Sequence, residues 1–350
     1  MTLIKSRESK AITIGGVTVG GGAAVTVQSM TKTDTRDVAA TVAQIRQLAD
    51  AGCEIIRCGV PDAAAAEALR EIKRQSPIPV IADIHFDYRL ALTAIAAGVD
   101  GLRINPGNIG DNDRVKQVVL AAKERQVPIR IGVNGGSLPP EFEPDQPLHQ
   151  RMVDSAMAQV RLLESLDFDL IKISLKAFDV PETVAAYRLI ADLVPYPLHL
   201  GMTEAGTART GVIRSAVGIG TLLAEGIGDT IRVSLSAPPV EEVRAGYEIL
   251  KSLDLRQRGP VLVSCPSCGR TEVNIVRLAE QVAAALETVT KPIKVAVMGC
   301  AVNGPGEAAD ADVGIACGKG QGILFRRGEK VRVVTEAEFL SALLKEVENF

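Results

Sequence analysis

The run Ile129-Arg130-Ile131-Gly132-Val133-Asn134, a helical stretch over His149–Leu166, and the run Leu170-Ile171-Lys172-Ile173-Ser174-Leu175-Lys176 together decide the architecture. Each β run is rich in branched residues and alternates in polarity, as a strand does whose side chains point to opposite faces at period two. A helix between two such strands carries the chain back along the sheet, so the strands are expected to lie parallel. The same step continues in both directions. Further strands are expected over Val25–Met30, Glu54–Val60, Val80–His85, Gly101–Gly107, Leu198–Glu204 and Thr230–Ser236. Helices are expected over Asp37–Ala51, Ala63–Gln75, Asp111–Arg125, Pro181–Leu193 and Gly211–Gly226. At roughly 30 residues a step, eight steps in about 250 residues is the arithmetic of a closed (β/α)8, TIM-like barrel. An open doubly wound sheet would seldom run to eight consecutive parallel units. Upstream, Gly20-Gly21-Gly22 follows an alternating stretch and is expected to turn an N-terminal hairpin that plugs the barrel floor.

The rhythm stops at Arg256-Gln257-Arg258-Gly259-Pro260, which divides the chain into a substrate-binding barrel over 1–258 and a small α+β domain over 259–350. The second domain reads as a strand running into Cys265, a helix Asn274–Thr288, a strand Ile293–Met298 and a Gly/Pro loop. A strand Asp312–Cys317, a hairpin about Gly328 and a last helix Glu336–Glu348 follow.

Composition narrows the function. With 350 residues, 47% of them hydrophobic, the chain can bury a large core, and a net charge of −3 argues against a general nucleic-acid binder. Aromatic residues are only 3% and Trp is absent, which disfavours stacking on bases. No run approaches the roughly 18 apolar residues of a membrane span. Met1–Gly22 lacks the apolar centre of a signal peptide, so a cytoplasmic protein is expected. Six cysteines are too few for a disulfide scaffold at this length and are expected to be metal ligands or buried thiols.

Parity along the strands places polar residues on one face: Arg57 with Gly59, Asp83 with His85, Arg103 with Asn105, and Arg130 with Gly132 and Asn134. It continues with Lys172, Ser174 and Lys176, with His199, Gly201 and Thr203 before Glu204, and with Arg232, Ser234 and Ser236. The opposite face carries Ile56, Cys58, Ile104, Ile129, Ile131, Ile171, Ile173, Ile231 and Val233, which suit packing against outer helices. Arg57, Arg103, Arg130, Lys172 and Arg232 are five inward cations, and Asp83 and Glu204 are the obvious partners. An unpaired charge held from water costs several kcal/mol. A barrel with this interior is therefore expected to take a multiply charged anion, most simply a diphosphate, gripped by guanidinium forks. One or two internal ion pairs are the plainer alternative. His85 and His199 are candidates for acids or for hydrogen bonding within the barrel, and Asp83 and Glu204 for proton donors or counter-ions. Lys172 could instead form a Schiff base.

The second domain opens with Cys265-Pro266-Ser267-Cys268, and Cys300 stands in Gly299-Cys300-Ala301-Val302-Asn303-Gly304-Pro305-Gly306-Glu307. A C-x-x-C alone is shared by zinc ribbons, redox dithiols and iron–sulfur sites. The third thiol also ends a strand, so all three can converge at one sheet end. Cys317 is in phase with Val313 and Ile315, like a core residue, and Cys53 and Cys58 read as small core hydrophobes. Three thiolates suit a four-iron cluster. Glu307, presented by a tight Gly304-Pro305-Gly306 turn, is the candidate fourth ligand, a hard carboxylate that a substrate oxygen could replace.

The sequence closely resembles the 4-hydroxy-3-methylbut-2-en-1-yl diphosphate synthase family (IspG, or GcpE) through Val27–Thr31, Ile81–Phe86, Leu102–Asn108, Arg130–Asn134, Gly201–Gly206, Ile231–Ser234 and both cysteine motifs. The absence of a further central domain is similar to the bacterial form. The resemblance implies reductive ring opening and dehydration of 2-C-methyl-D-erythritol 2,4-cyclodiphosphate in the methylerythritol phosphate route to isoprenoids. It implies a 4Fe-4S cluster on Cys265, Cys268, Cys300 and Glu307, reduced by ferredoxin or flavodoxin. The diphosphate is expected on Arg57, Arg103, Arg130 and Lys172, with Asn105, Asn134, Ser174, His199, Arg232 and Ser234 as secondary contacts. Glu204, Asp83 and His85 are the candidate proton donors. The resemblance further implies a homodimer whose active site is shared between subunits, with no nucleic-acid or membrane partner.

Overall fold

Branched residues and period-two alternation hold longest in the middle of the first 256 residues, and there the strands are most regular. The computed structural model describes residues 4–104, 109, 112–138, 145–300 and 304–350. Two compact units divide the chain, Met1–Arg256 and Gln257–Phe350.

In the first unit β1 (Ile12–Ile14) and β2 (Val17–Val19) pair antiparallel. Then β3 (Thr26–Met30), β4 (Ile55–Gly59), β5 (Val80–Ile84), β6 (Gly101–Ile104), β7 (Ile129–Asn134), β8 (Ile171–Lys176), β9 (His199–Leu200) and β10 (Thr230–Ile231) form one eight-stranded parallel sheet. Its order is β8-β7-β6-β5-β4-β3-β10-β9, and a parallel bridge between Ile173 and Leu198 closes the ring. The expected (β/α)8 barrel is thus present. Around it stand α1 (Val38–Asp50), α2 (Ala63–Gln75), α3 (Tyr88–Ala97), α4 (Asn112–Glu124), α5 (Leu148–Glu164), α6 (Val180–Leu193), α7 (Ala208–Ala224) and α8 (Pro239–Ser252).

Local chemistry sets where the helices begin. Asp37, Asp62, Asp87 and Asp179 each accept a backbone N–H of the first turn of α1, α2, α3 and α6, satisfying donors the helix cannot. Ile56, Cys58, Ile104, Ile131, Ile173 and Ile231 are fully buried in the layer between strands and helices, as parity requires. Below them Ile12, Ile14 and Val19 of the hairpin bury against Ile55 and Ile81, so the hairpin closes the barrel floor.

Two expectations about this unit need correction. The hairpin turns at Gly15-Gly16, whose φ values of +54° and +92° only glycine adopts readily, and Gly20–Gly22 lie beyond β2. The last two barrel strands are also short. Past Leu200 and Ile231 the ladder becomes irregular, with Arg232 N–H on Leu200 O at 3.0 Å and Ser236 N–H on Gly206 O at 2.9 Å. Left-handed backbone at Glu204 (φ +54°) and at Gly206 (φ +113°) ends the extended run.

The second unit is a five-stranded sheet of β11 (Val261–Ser264), β12 (Lys294–Met298), β13 (Val313–Gly318), β14 (Gln321–Arg326) and β15 (Glu329–Thr335). The first three are parallel and the rest antiparallel. Helices α9 (Ile275–Leu286) and α11 (Phe339–Glu348) cover one face, where Val282, Val295, Ile315 and Leu343 are buried together. The other face carries α10 (Gly304–Ala309) through Ala308 against Ala296, Met298 and Ala316. Glu307 therefore sits in the first turn of a short helix, where the sequence suggested a bare turn.

Candidate functional site

Register places the barrel's charges. Asp83 of β5 stands beside Arg103 of β6, Arg103 beside Arg130 of β7, and Arg130 beside Lys172 of β8. Arg57, Asp83, Arg103, Arg130, Lys172, Ser174, Lys176 and His199 are all buried. Asp83 is the hub. Its Oδ2 lies 3.4 Å from Arg57 Nε and 3.4 Å from His85 Nε2, and its Oδ1 lies 3.2 Å from Arg103 Nη1. Burial by itself would raise the Asp83 carboxyl, but Arg57, His85 and Arg103 outweigh it and hold the group well below the usual carboxylate range. Arg103 also donates through Nη2 to Gly132 O at 3.1 Å, and Arg130 through Nη1 to Ser174 Oγ at 2.8 Å.

One carboxylate cannot serve this many cations. Burial and the guanidiniums of Arg57 and Arg103 push Arg130 well below its ordinary value, and its Nε and Nη2 have no hydrogen-bond partner among the described residues. Burial, then Arg130, brings Lys172 down to about 7, and its Nζ is likewise unpartnered among the described residues. His199 is pushed well down by burial and then by Lys176, so its ring is neutral. A pocket of cations with open donors and a neutral imidazole is short of negative charge, which an anionic ligand would supply.

Two further charged residues join the barrel group beyond those expected to bind. Lys176, on the parity of Lys172 and Ser174, is 6% exposed and pushed well down by burial, then Arg130 and Arg232. Its parity was the available signal. Glu242, in the first turn of α8, is buried and gives Arg232 and Lys32 a carboxylate at 3.5 Å and 3.1 Å. It also accepts the Leu235 N–H at 2.9 Å. Nothing local in the sequence marks it, because it is brought there by the turn between β10 and α8. Of the remaining expected residues, Arg232, Asn134, Ser234 and His85 are half-buried, and Glu204 is exposed. Asn105 lies outside the described residues.

In the second unit β11 ends just before Cys265 and β12 just before Gly299-Cys300, so two parallel strands deliver thiols to one sheet end. Cys265, Cys268, Cys300 and Glu307 all line one cavity of about 340 Å³, with Arg270, Thr271 and Met298. Gly299 N–H donates to Cys265 Sγ at 3.2 Å. Hydrogen bonds from the Arg270 backbone and side chain lower the exposed Cys268 thiol, favouring thiolate. Cys317 is buried in the core under the sheet and pushed up to about 12 by burial, and Cys53 and Cys58, at about 12 and about 11, are buried likewise. Among the described residues no His, Cys, Asp and Glu side chains converge tightly enough for a single metal ion. Three thiols and a carboxylate spread around a cavity this size suit a larger inorganic group with soft-ligand preference.

A barrel with a buried group of cations, and a second unit whose cavity is lined by three cysteines and a glutamate, define the class of two-domain barrel protein. The comparisons with known proteins agree. Residues 9–247 match the model described as the GcpE TIM-barrel domain, and residues 261–349 the GcpE protein C-terminal domain. The chain belongs to the GcpE family. A relative from Dehalococcoides mccartyi, named 4-hydroxy-3-methylbut-2-en-1-yl diphosphate synthase (flavodoxin), is 65% identical over 345 residues, 99% of both chains. One of the same name from Geobacter sulfurreducens is 62% identical over 98% of each. The dihydropteroate synthase of Xanthomonas albilineans, solved with 7,8-dihydropteroate, matches 70% of this chain and 98% of its own with a TM-score of 0.52. At 16% identity that likeness concerns the barrel fold alone. Among the described residues no helix is long and apolar enough to cross a membrane.

Proposed function

We propose that this chain reduces 2-C-methyl-D-erythritol 2,4-cyclodiphosphate by two electrons, opening the ring and releasing water to give (E)-4-hydroxy-3-methylbut-2-enyl diphosphate in the methylerythritol phosphate pathway. The observation that carries the substrate side is the buried cation group beside Asp83, whose donors outnumber the carboxylates that face them. Arg57, Arg103, Arg130 and Lys172, joined by Lys176, hold the diphosphate, with Asn105, Asn134, Ser174, His199, Arg232 and Ser234 as secondary contacts. Ring opening at carbon leaves the diphosphate with one more negative charge than the cyclic substrate. Fixed cations therefore favour the opened state more than the closed one, as preorganised electrostatic catalysis requires.

Cys265, Cys268 and Cys300 with Glu307 would hold a 4Fe-4S cluster, which supplies electrons one at a time and a Lewis-acidic iron. The carboxylate is the hard member of that ligand set and the one most readily exchanged. Loss of water consumes a proton. Glu204, Asp83 and His85 are the candidate donors, and Asp83, held well down by Arg57, His85 and Arg103, also serves as counter-ion to those cations. Reduced flavodoxin, the donor in the relatives' name, is the electron source, ferredoxin being the alternative. The enzyme works in the cytoplasm as a homodimer with its site shared between subunits. Anaerobic assay with reduced flavodoxin and the cyclodiphosphate tests the reading: the linear allylic diphosphate is expected, and a reconstituted holoenzyme that leaves the substrate intact would refute it.

A further inference from the structure

Gly132 lies in the interior of β7 with ordinary extended backbone, so no left-handed φ explains it. Glycine inside a strand weakens the strand and marks either a bulge or a close approach by another group. The pairing of β7 with β8 runs unbroken through Gly132 and Ser174, which excludes a bulge on that side. The close approach is by Arg103. A Cβ at Gly132 would lie 2.5 Å from Arg103 Nε and 3.2 Å from both Cζ and Nη2. Arg103 has little freedom to yield, because it is 3% exposed, with Nη1 against Asp83 and Nη2 on the Gly132 carbonyl.

We propose that Gly132 is a positioning residue for anion binding: its missing side chain is the slot that the Arg103 guanidinium occupies beside β7. The same device recurs beside β9. A Cβ at Gly201 would lie 2.6 Å from Lys176 Nζ, although there it would also meet the Arg232 carbonyl at 2.5 Å. Gly59 is the contrast. It too stands on the inner face, in register with Asp83, yet a Cβ there would meet only Met30 Cε at 3.6 Å, an ordinary contact. So a long cation alone fills the space beside Gly132, a cation and a backbone carbonyl share it at Gly201, and neither stands at Gly59.

The inference rests on the barrel's reading as a diphosphate site, and its test separates the two. Inorganic diphosphate is titrated into the full chain by calorimetry. Wild type should bind; Gly132→Ala should bind about tenfold or more weakly, because its Arg103 fork is displaced. Gly59→Ala should stay within about twofold of wild type, and adding Gly132→Ala to Arg103→Ala should change binding by less than about twofold. A wild-type chain that ignores diphosphate overturns the anion reading and this inference with it. A wild type that binds beside a Gly132→Ala chain that binds equally overturns the inference alone, as does a Gly132→Ala loss that persists without Arg103. Should Gly132→Ala fail to fold, thermal melting reads the same cycle: Arg103→Ala must restore the folded state, and failure to do so refutes the slot.

Discussion

In the barrel, Arg57, Arg103, Arg130, Lys172 and Lys176 are each 8% exposed or less, and Asp83 pairs with only two of them, Arg57 and Arg103. In the Gln257–Phe350 unit, by contrast, Cys268 and Glu307 are exposed and Cys265 half-buried around their cavity. The barrel has already placed its charges out of water before any ligand arrives, and the rest of its fold must carry that cost. The thiol unit keeps Cys265, Cys268 and Glu307 nearer water and buries only Cys300, so it carries less of that cost. One site is preorganised by sheet register; the other gathers its side chains at the end of two parallel strands.

The largest test of that contrast is Cys300→Ser. Removing one thiolate should strip bound iron and lower turnover by about a thousandfold or more, while inorganic diphosphate binding to the barrel stays as in wild type. Iron analysis beside calorimetry checks both halves, and loss of diphosphate binding would break the separation. Next comes Lys172→Met. The lysine's folded value of about 7 lies below its ordinary value of about 10.4, so between those limits the unfolded chain binds the extra proton and stability rises with pH. Below about pH 7 the penalty is complete. The Met variant should therefore be more stable than wild type at pH 6, by at most about 5 kcal/mol, with the gap closing toward pH 10. Denaturant melts at both ends measure it; a gap independent of pH would show that Lys172 is not a buried, strained charge.

Glu307→Ala should keep most of the iron, because three thiolates remain, yet lose turnover by about a hundredfold. Wild-type activity at full iron content would remove the carboxylate from the ligand set. The smallest effect is expected at Cys317→Ala: about 1 kcal/mol of stability lost from a core position, with iron unchanged. Iron loss there would make four thiols, not three, the ligands.

The same contrast explains what the sequence made legible. Parity works where strands are long, so β4 to β8 and the cations on them were readable before any coordinates. It fails where hydrogen bonding turns irregular, which is why β9 and β10 end several residues short of the expected runs. The sequence shows a plug hairpin but not which glycines turn it, since Gly15-Gly16 and Gly20–Gly22 offer equal backbone freedom and only packing of Ile12, Ile14 and Val19 chooses between them. Cys317 was separable from the other thiols by phase alone. Glu242 was not legible, because its partners Lys32 and Arg232 come from sequence positions some two hundred apart and ten apart, joined only when the ring closes.

Iron and acid-labile sulfide, counted per chain after oxygen-free reconstitution, test the central claim most directly. About four of each is expected, with a brown chromophore that bleaches on reduction. A chain that stays colourless, or that takes up zinc and no sulfide, would contradict it.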